Sequence, residues 1–193
     1  MNRKLTLRLA ITSSLLIVLW ALAWFLSPHI YSSSVLTAAE TNNLGVLVSR
    51  VDGERLKNSA AEDLTQIAVS AIRLPEGKEI PDALKSALTS VFKKINSIDD
   101  RALVDMVANL IRGNGFISKD LFFITPKEFL QKRSAMHSGA YGATMDTYIQ
   151  KVTFKETGEE LALLFERNKL FTWRLVAVKT NSSTVLLPFK ISK

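Results

Sequence analysis

The sequence predicts an α+β domain carried behind an N-terminal membrane helix, and three observations predict it. Residues 9–26 form an uncharged run of 18, of which 15 are apolar. Between residues 44 and 111 apolar side chains recur at helical spacing among recognisable caps. From residue 148 onward the period falls to two. Helices followed by strands is the α+β order, with several helices packed on an antiparallel meander of about four strands.

The apolar run comes close to the roughly 20 residues that cross a hydrocarbon core about 30 Å thick. Arg3, Lys4 and Arg8 precede it and no further basic residue appears until Arg50. The positive-inside rule therefore keeps residues 1–8 in the cytoplasm, makes residues 9–27 the anchor, and exports residues 28–193 as one periplasmic domain of an inner-membrane protein. Trp20, Trp24 and Tyr31 fall toward the outer end, where amphipathic rings favour the interface. Ala21-Leu22-Ala23 has the small-x-small form of a cleavage site, but the run continues through Trp24-Phe25-Leu26, which favours a retained anchor.

Composition narrows the class further. All 18 acidic residues follow residue 27, against 22 of the 25 basic ones, so the exported part carries a surplus of four positive charges. A chain that is 47% hydrophobic is neither disordered nor fibrous. Without cysteine it has no disulfide scaffold, thiolate metal site or cysteine nucleophile. Lys93-Lys94 and Lys132-Arg133 are scattered solvated charges, not the dense stripe of a nucleic-acid binder.

Local signals set the elements in order. Ser27-Pro28 suits a helix start, with a short helix through 35–41 that is either separate from the anchor or kinked away from it. Asn42 or Asn43 caps a helix over 44–50. Asp52 caps a longer one, with Leu56, Ala60, Leu64, Ile67, Ala71 and Leu74 in its stripe. Pro81-Asp82 opens the next, and Asp99 caps a helix along Leu103, Met106, Val107, Leu110 and Ile111 that Gly113 closes. Thr125-Pro126-Lys127-Glu128 has capping-box form and predicts a short helix to residue 132. The Ser/Gly/Ala-rich stretch 134–147 reads as a flexible surface loop. Strands are expected over 148–155, 160–167, 170–179 and 184–191, with a hairpin turn at Asn168-Lys169.

Candidate chemistry is sparse. A Ser134 or Ser138 nucleophile with His137 and Asp146 can be written down, yet triads are assembled by tertiary geometry and nearness in sequence is no support. His29 sits at the membrane exit as an interfacial side chain. Two separated histidines offer no metal-ligand spacing, and no cofactor fingerprint occurs. Asp99-Asp100 is a cap followed by a first-turn carboxylate rather than an acid/base pair. Asp52 caps its helix while Arg55 is free to pair with a carboxylate elsewhere, and Trp173 either fills the core or lines a cavity mouth. These three are the candidate ligand- or partner-binding residues; none is assigned as catalytic.

Several short motifs also fall in a recognisable order. They are Ser27-Pro28, Ala38-Ala39, Leu47, Val51-Asp52 ahead of Glu54-Arg55-Leu56-Lys57, Thr125-Pro126, Phe165-Glu166-Arg167 and Trp173-Arg174-Leu175. This order resembles a bacterial family of membrane-anchored or exported proteins known as domain of unknown function family 2939, over residues 20–180. The sequence departs from that pattern at His29, at Asn42 or Asn43, and at Gly53-Glu54. The resemblance implies anchored export and one α+β domain, and brings no catalytic residues with it. The order of helices before a curved sheet is also similar to the nuclear-transport-factor-2-like fold, a likeness that carries no function.

The function expected is a non-enzymatic envelope module that binds a partner protein or a small apolar ligand. One alternative is a periplasmic hydrolase or isomerase with a cavity between sheet and helices. Another is an accessory subunit of an envelope complex, assembled where Ser13-Ser14 lets a neighbouring helix approach.

Overall fold

The computed structural model describes residues 3–71, 82–113, 135–155, 158 and 160–180. Among the described residues five helices precede four strands: α1 (Arg3–Glu40), α2 (Leu44–Arg50), α3 (Gly53–Ala71), α4 (Asp82–Asn96), α5 (Asp100–Ile111), β1 (Ala135–Tyr141), β2 (Thr147–Phe154), β3 (Glu160–Lys169) and β4 (Thr172–Thr180). The strands form one antiparallel meander in the order β1-β2-β3-β4, so β2 and β3 are interior. The α+β class read from the sequence is the class observed.

The caps act where the sequence places them. At the end of α1, Asn42 takes a left-handed backbone with φ of 55°, while the Asn43 amide reaches back to the Ala38 carbonyl at 2.8 Å. That is a helix-terminating arrangement asparagine tolerates better than most side chains. Asn43 then caps α2, its Oδ1 accepting from the Val46 amide at 3.2 Å. Asp52 and Asp99 cap α3 and α5 by accepting from the amides of Arg55 and Arg101. Gly113 closes α5 with φ of 72°.

One core lies between the inner sheet face and helices α1, α2, α3 and α5. Tyr148 and Val152 of β2, Leu163 and Phe165 of β3, and Trp173 and Leu175 of β4 are buried there. They share the cluster with Val35 and Ala39 of α1, Leu47 of α2 and Val104 of α5. The link between α2 and α3 also joins the sheet edge: Val51 bridges Leu175 in parallel, and the Asp52 amide donates to the Leu175 carbonyl at 2.9 Å.

Three expectations are corrected. Ser27-Pro28 does not begin a helix, because α1 runs unbroken across it with Pro28 inside. The stretch 134–147 is not a loop: its residues 135–141 pair with β2 from Ala135↔Phe154 to Tyr141↔Tyr148, leaving a turn at 142–146. Gly139 and Gly142 reflect close packing rather than flexibility. A Cβ at Gly139 would fall onto the Tyr148 hydroxyl and ring. Finally, β3 continues to Lys169 with Asn168 bulged, so the hairpin turns at Leu170-Phe171, not Asn168-Lys169. The expected helix to residue 132 and strand at 184–191 lie outside the described residues.

Candidate functional site

Among the described residues the buried polar side chains, Ser27, Ser32 and Gln150, gather where α1 meets the sheet, and Pro28 is the starting point. Proline has no N–H, so the Trp24 carbonyl four residues earlier loses its helical partner. The Ser27 hydroxyl donates to that carbonyl at 2.8 Å and accepts the indole N–H of Trp173 at 2.9 Å. A defect in the helix is thereby turned into a tie to β4. The neighbouring carbonyl of Phe25 accepts from the Tyr141 hydroxyl of β1 at 2.8 Å.

One turn further along α1, the Ser32 hydroxyl donates to Gln150 Oε1 at 3.1 Å. The Gln150 amide nitrogen donates to the Ser138 carbonyl at 2.8 Å, so one buried amide joins α1, β2 and β1. The Tyr148 hydroxyl lies 2.8 Å from His29 Nδ1, with the two rings edge to face. Burial pushes the Tyr148 phenol above its ordinary range, Ser32 opposing and Tyr141 adding to the shift. Tyr141 is raised as well, again by burial, with Arg167 pulling the other way. Both phenols therefore stay neutral hydrogen-bonding groups.

Arg167 completes the junction. Its guanidinium lies over the rings of Trp24 and Trp173, 4.1 and 4.3 Å from their centroids. The same group donates to Asp146 Oδ1 at 2.9 Å, to the Leu170 carbonyl at 2.6 Å and to the Met145 carbonyl at 3.3 Å. One planar fork thus holds both hairpin turns at this end of the sheet against the emerging helix, which lysine could not reproduce.

The residues singled out from sequence are placed as follows. Arg55 pairs with Glu166 at 2.7 Å, and Asp52 lies 4.0 Å from Arg174. Glu166 and Arg174 are themselves register partners across β3 and β4, so the four form an alternating, half-exposed charge cluster where α3 starts. Trp173 is 1% exposed beneath α1, its indole N–H held by Ser27. Asp146 is engaged by Arg167, while His137 stands 4.0 Å from Glu40, so the structure does not bring His137 and Asp146 together. Asp100 pairs with Lys57 at 2.9 Å. Among the described residues no group of three or more His, Asp or Glu could hold a metal ion. An open depression of about 380 Å³ lies along α4, lined by Ser90, Lys93, Lys94 and Ser97.

Sequence reasoning gave no role to Ser32, Gln150, Tyr141 or Arg167, the last of which it named only within a motif. A signal was present: Gln150 and Arg167 occupy inward positions of strands whose other inward residues are apolar, and such residues require buried partners. The chain matches no protein-family model, no curated protein and no solved structure.

Proposed function

We propose that this chain is a single-pass inner-membrane protein, N-terminus in the cytoplasm, whose periplasmic α+β domain is a non-catalytic module for a partner protein or small apolar ligand. The observation that carries this reading is the double use of α1. Its 38 residues measure about 57 Å at 1.5 Å each, roughly twice a hydrocarbon core. Residues 11–20 leave their side chains exposed, as a lipid-facing helix does, whereas Ser27, Pro28, Ser32, Val35, Ala38 and Ala39 are buried in the domain. Span and domain thus share one continuous helix, suited to presenting a surface close to the membrane.

The non-catalytic reading is supported by how the ionisable groups are used. Asp52, Arg55, Glu166, Arg174, Asp146 and Arg167 are engaged in ties between elements. The charge cluster around Asp52 and Arg55 is the surface a partner would meet, and the buried Trp173 precedes its Arg174 on β4. Kinship with domain of unknown function family 2939 belongs to the same reading. Its support is that Ser27, Pro28, Ala38, Ala39, Leu47 and Val51, which carry the resemblance, all lie buried.

The test is crosslinked affinity purification from membranes with the native anchor, followed by mass spectrometry of protein and lipid partners. A discrete adduct through a photo-crosslinker at Arg55 or Arg174 is expected. Recovery of no partner, together with turnover of a small-molecule panel by the chain, would overturn the module reading. Asn96→Cys, exposed on α4 in a chain without other cysteines, should react with an impermeant maleimide in intact spheroplasts. Reaction only after lysis would reverse the orientation.

A further inference from the structure

The two hairpin turns beside α1 do not stop at the level where the helix leaves the apolar run. Phe171, in the β3–β4 turn, packs edge to face on Trp20 with ring centroids 6.1 Å apart. Trp20 lies six residues before Leu26, the end of the apolar run, which is about 9 Å along the axis. If residues 9–26 cross the bilayer, the folded domain therefore reaches below its outer boundary. Met145 of the β1–β2 turn and Leu170 of the β3–β4 turn are 54% and 53% exposed at this end of the sheet. Arg167 fixes both, holding the two backbone carbonyls and stacking on Trp24.

We propose that the hairpin turns carrying Met145 and Leu170-Phe171 insert into the acyl–headgroup boundary of the outer leaflet, so that the domain grips the membrane beside its own helix. This rests on the single-pass reading above. The occupant of the exposed apolar surface is phospholipid because the surface is continuous with α1: Leu22, Phe25 and Leu26 stand half-exposed at the same level. Sliding the span six residues toward the N-terminus would lift the turns clear. It would also draw Arg8 about 9 Å inward, where a guanidinium is strongly disfavoured, and leave those three side chains in water. Trp20, Trp24 and Phe171 then form the belt of amphipathic and aromatic rings expected at an interface. The exposed Lys169 next to the turn faces a zone rich in phosphate.

The chain has no cysteine, so single-cysteine variants report on position directly. Full-length Met145→Cys, Leu170→Cys, Ile17→Cys and Asn96→Cys would each be labelled with an environment-sensitive fluorophore. They would be reconstituted into phosphatidylethanolamine–phosphatidylglycerol vesicles containing lipids spin-labelled both near the top and near the end of the acyl chain, so that shallow and central positions are each within reach of a quencher. Emission at positions 145 and 170 should shift to the blue and be quenched at least half as strongly as at position 17, with position 96 unchanged. Quenching at 17 but not at 145 or 170 would overturn the insertion and leave the span intact. No quenching at 17 would overturn the span, and the insertion with it. Equal quenching at 96 would show the domain lying flat on the bilayer and would overturn insertion by the turns alone.

Discussion

Removing the Arg167 guanidinium should loosen the whole junction, and the loss can be built from its contacts. The side chain is 9% exposed. It serves two backbone carbonyls and two indole faces. The carbonyls lie in turns at the headgroup level, where interfacial water can replace the lost donor, so each bond is worth about 1 kcal/mol net. Each ring face adds about 0.5–1 kcal/mol, the more desolvated Trp173 face being the stronger. The Asp146 carboxylate is 71% exposed, so its pair contributes under about 1 kcal/mol after solvent screening. Contributions that share one group do not add fully, and the expected loss for Arg167→Ala is about 3 kcal/mol. For a chain of this length that lowers Tm by roughly 6–12 °C. Arg167→Lys keeps the charge but loses the fork and the stacking, and should recover less than half of the deficit. Thermal unfolding in detergent micelles, followed by near-ultraviolet circular dichroism and tryptophan emission, measures both variants. A double-mutant cycle with Trp24→Leu should return a coupling of about 1 kcal/mol. An Arg167→Ala protein that melts with the wild type, or a coupling of zero, would refute the idea that this side chain joins the turns to the helix.

Gly139→Ala should destabilise by more than about 2 kcal/mol, since the new methyl group meets the Tyr148 hydroxyl and ring and β1 must shift away. Gly139→Ala combined with Tyr148→Ala should regain part of the loss in urea unfolding if the collision is the cause. The two raised phenols make a statement about alkaline pH. A phenol whose pKa is higher folded than unfolded contributes stability that is complete below the unfolded value near 10 and declines as pH rises through the folded one. Denaturation midpoints should therefore fall above pH 10, and Tyr148→Phe should flatten that fall. Arg55→Ala should cost at most about 1 kcal/mol in the same assay, because its ion pair is half-exposed. A much larger loss would show that the charge cluster holds the fold rather than decorating it.

Much of the fold was legible in local chemistry. Asn43, Asp52 and Asp99 cap the helices they were expected to cap, since a cap depends only on residues within one turn. The inward stripes of α5, β2 and β3 follow their periods for the same local reason. What misled was composition read without neighbours. Ser138, Gly139 and Ala140 look like loop residues by themselves, but they pair along β2, and Gly139 has no side chain where the Tyr148 ring and the Gln150 amide of that strand lie over it. Ser27-Pro28 has the chemistry of a helix start. It became helix interior because Trp173 and Tyr141, more than 100 residues away in sequence, stabilise that stretch from outside it.

The sequence by itself determined the apolar run, the bias of basic residues toward its N-terminal side, the order of helices before strands and the caps between them. All of these are properties of residues one or two turns apart. Only the tertiary structure decided that α1 is one continuous helix shared by the apolar run and the core. It alone brought Arg167 between two indoles and set Phe171 beside Trp20. Those pairings join side chains separated by up to 151 positions, and contacts so distant depend on how the whole core packs, which no local pattern records.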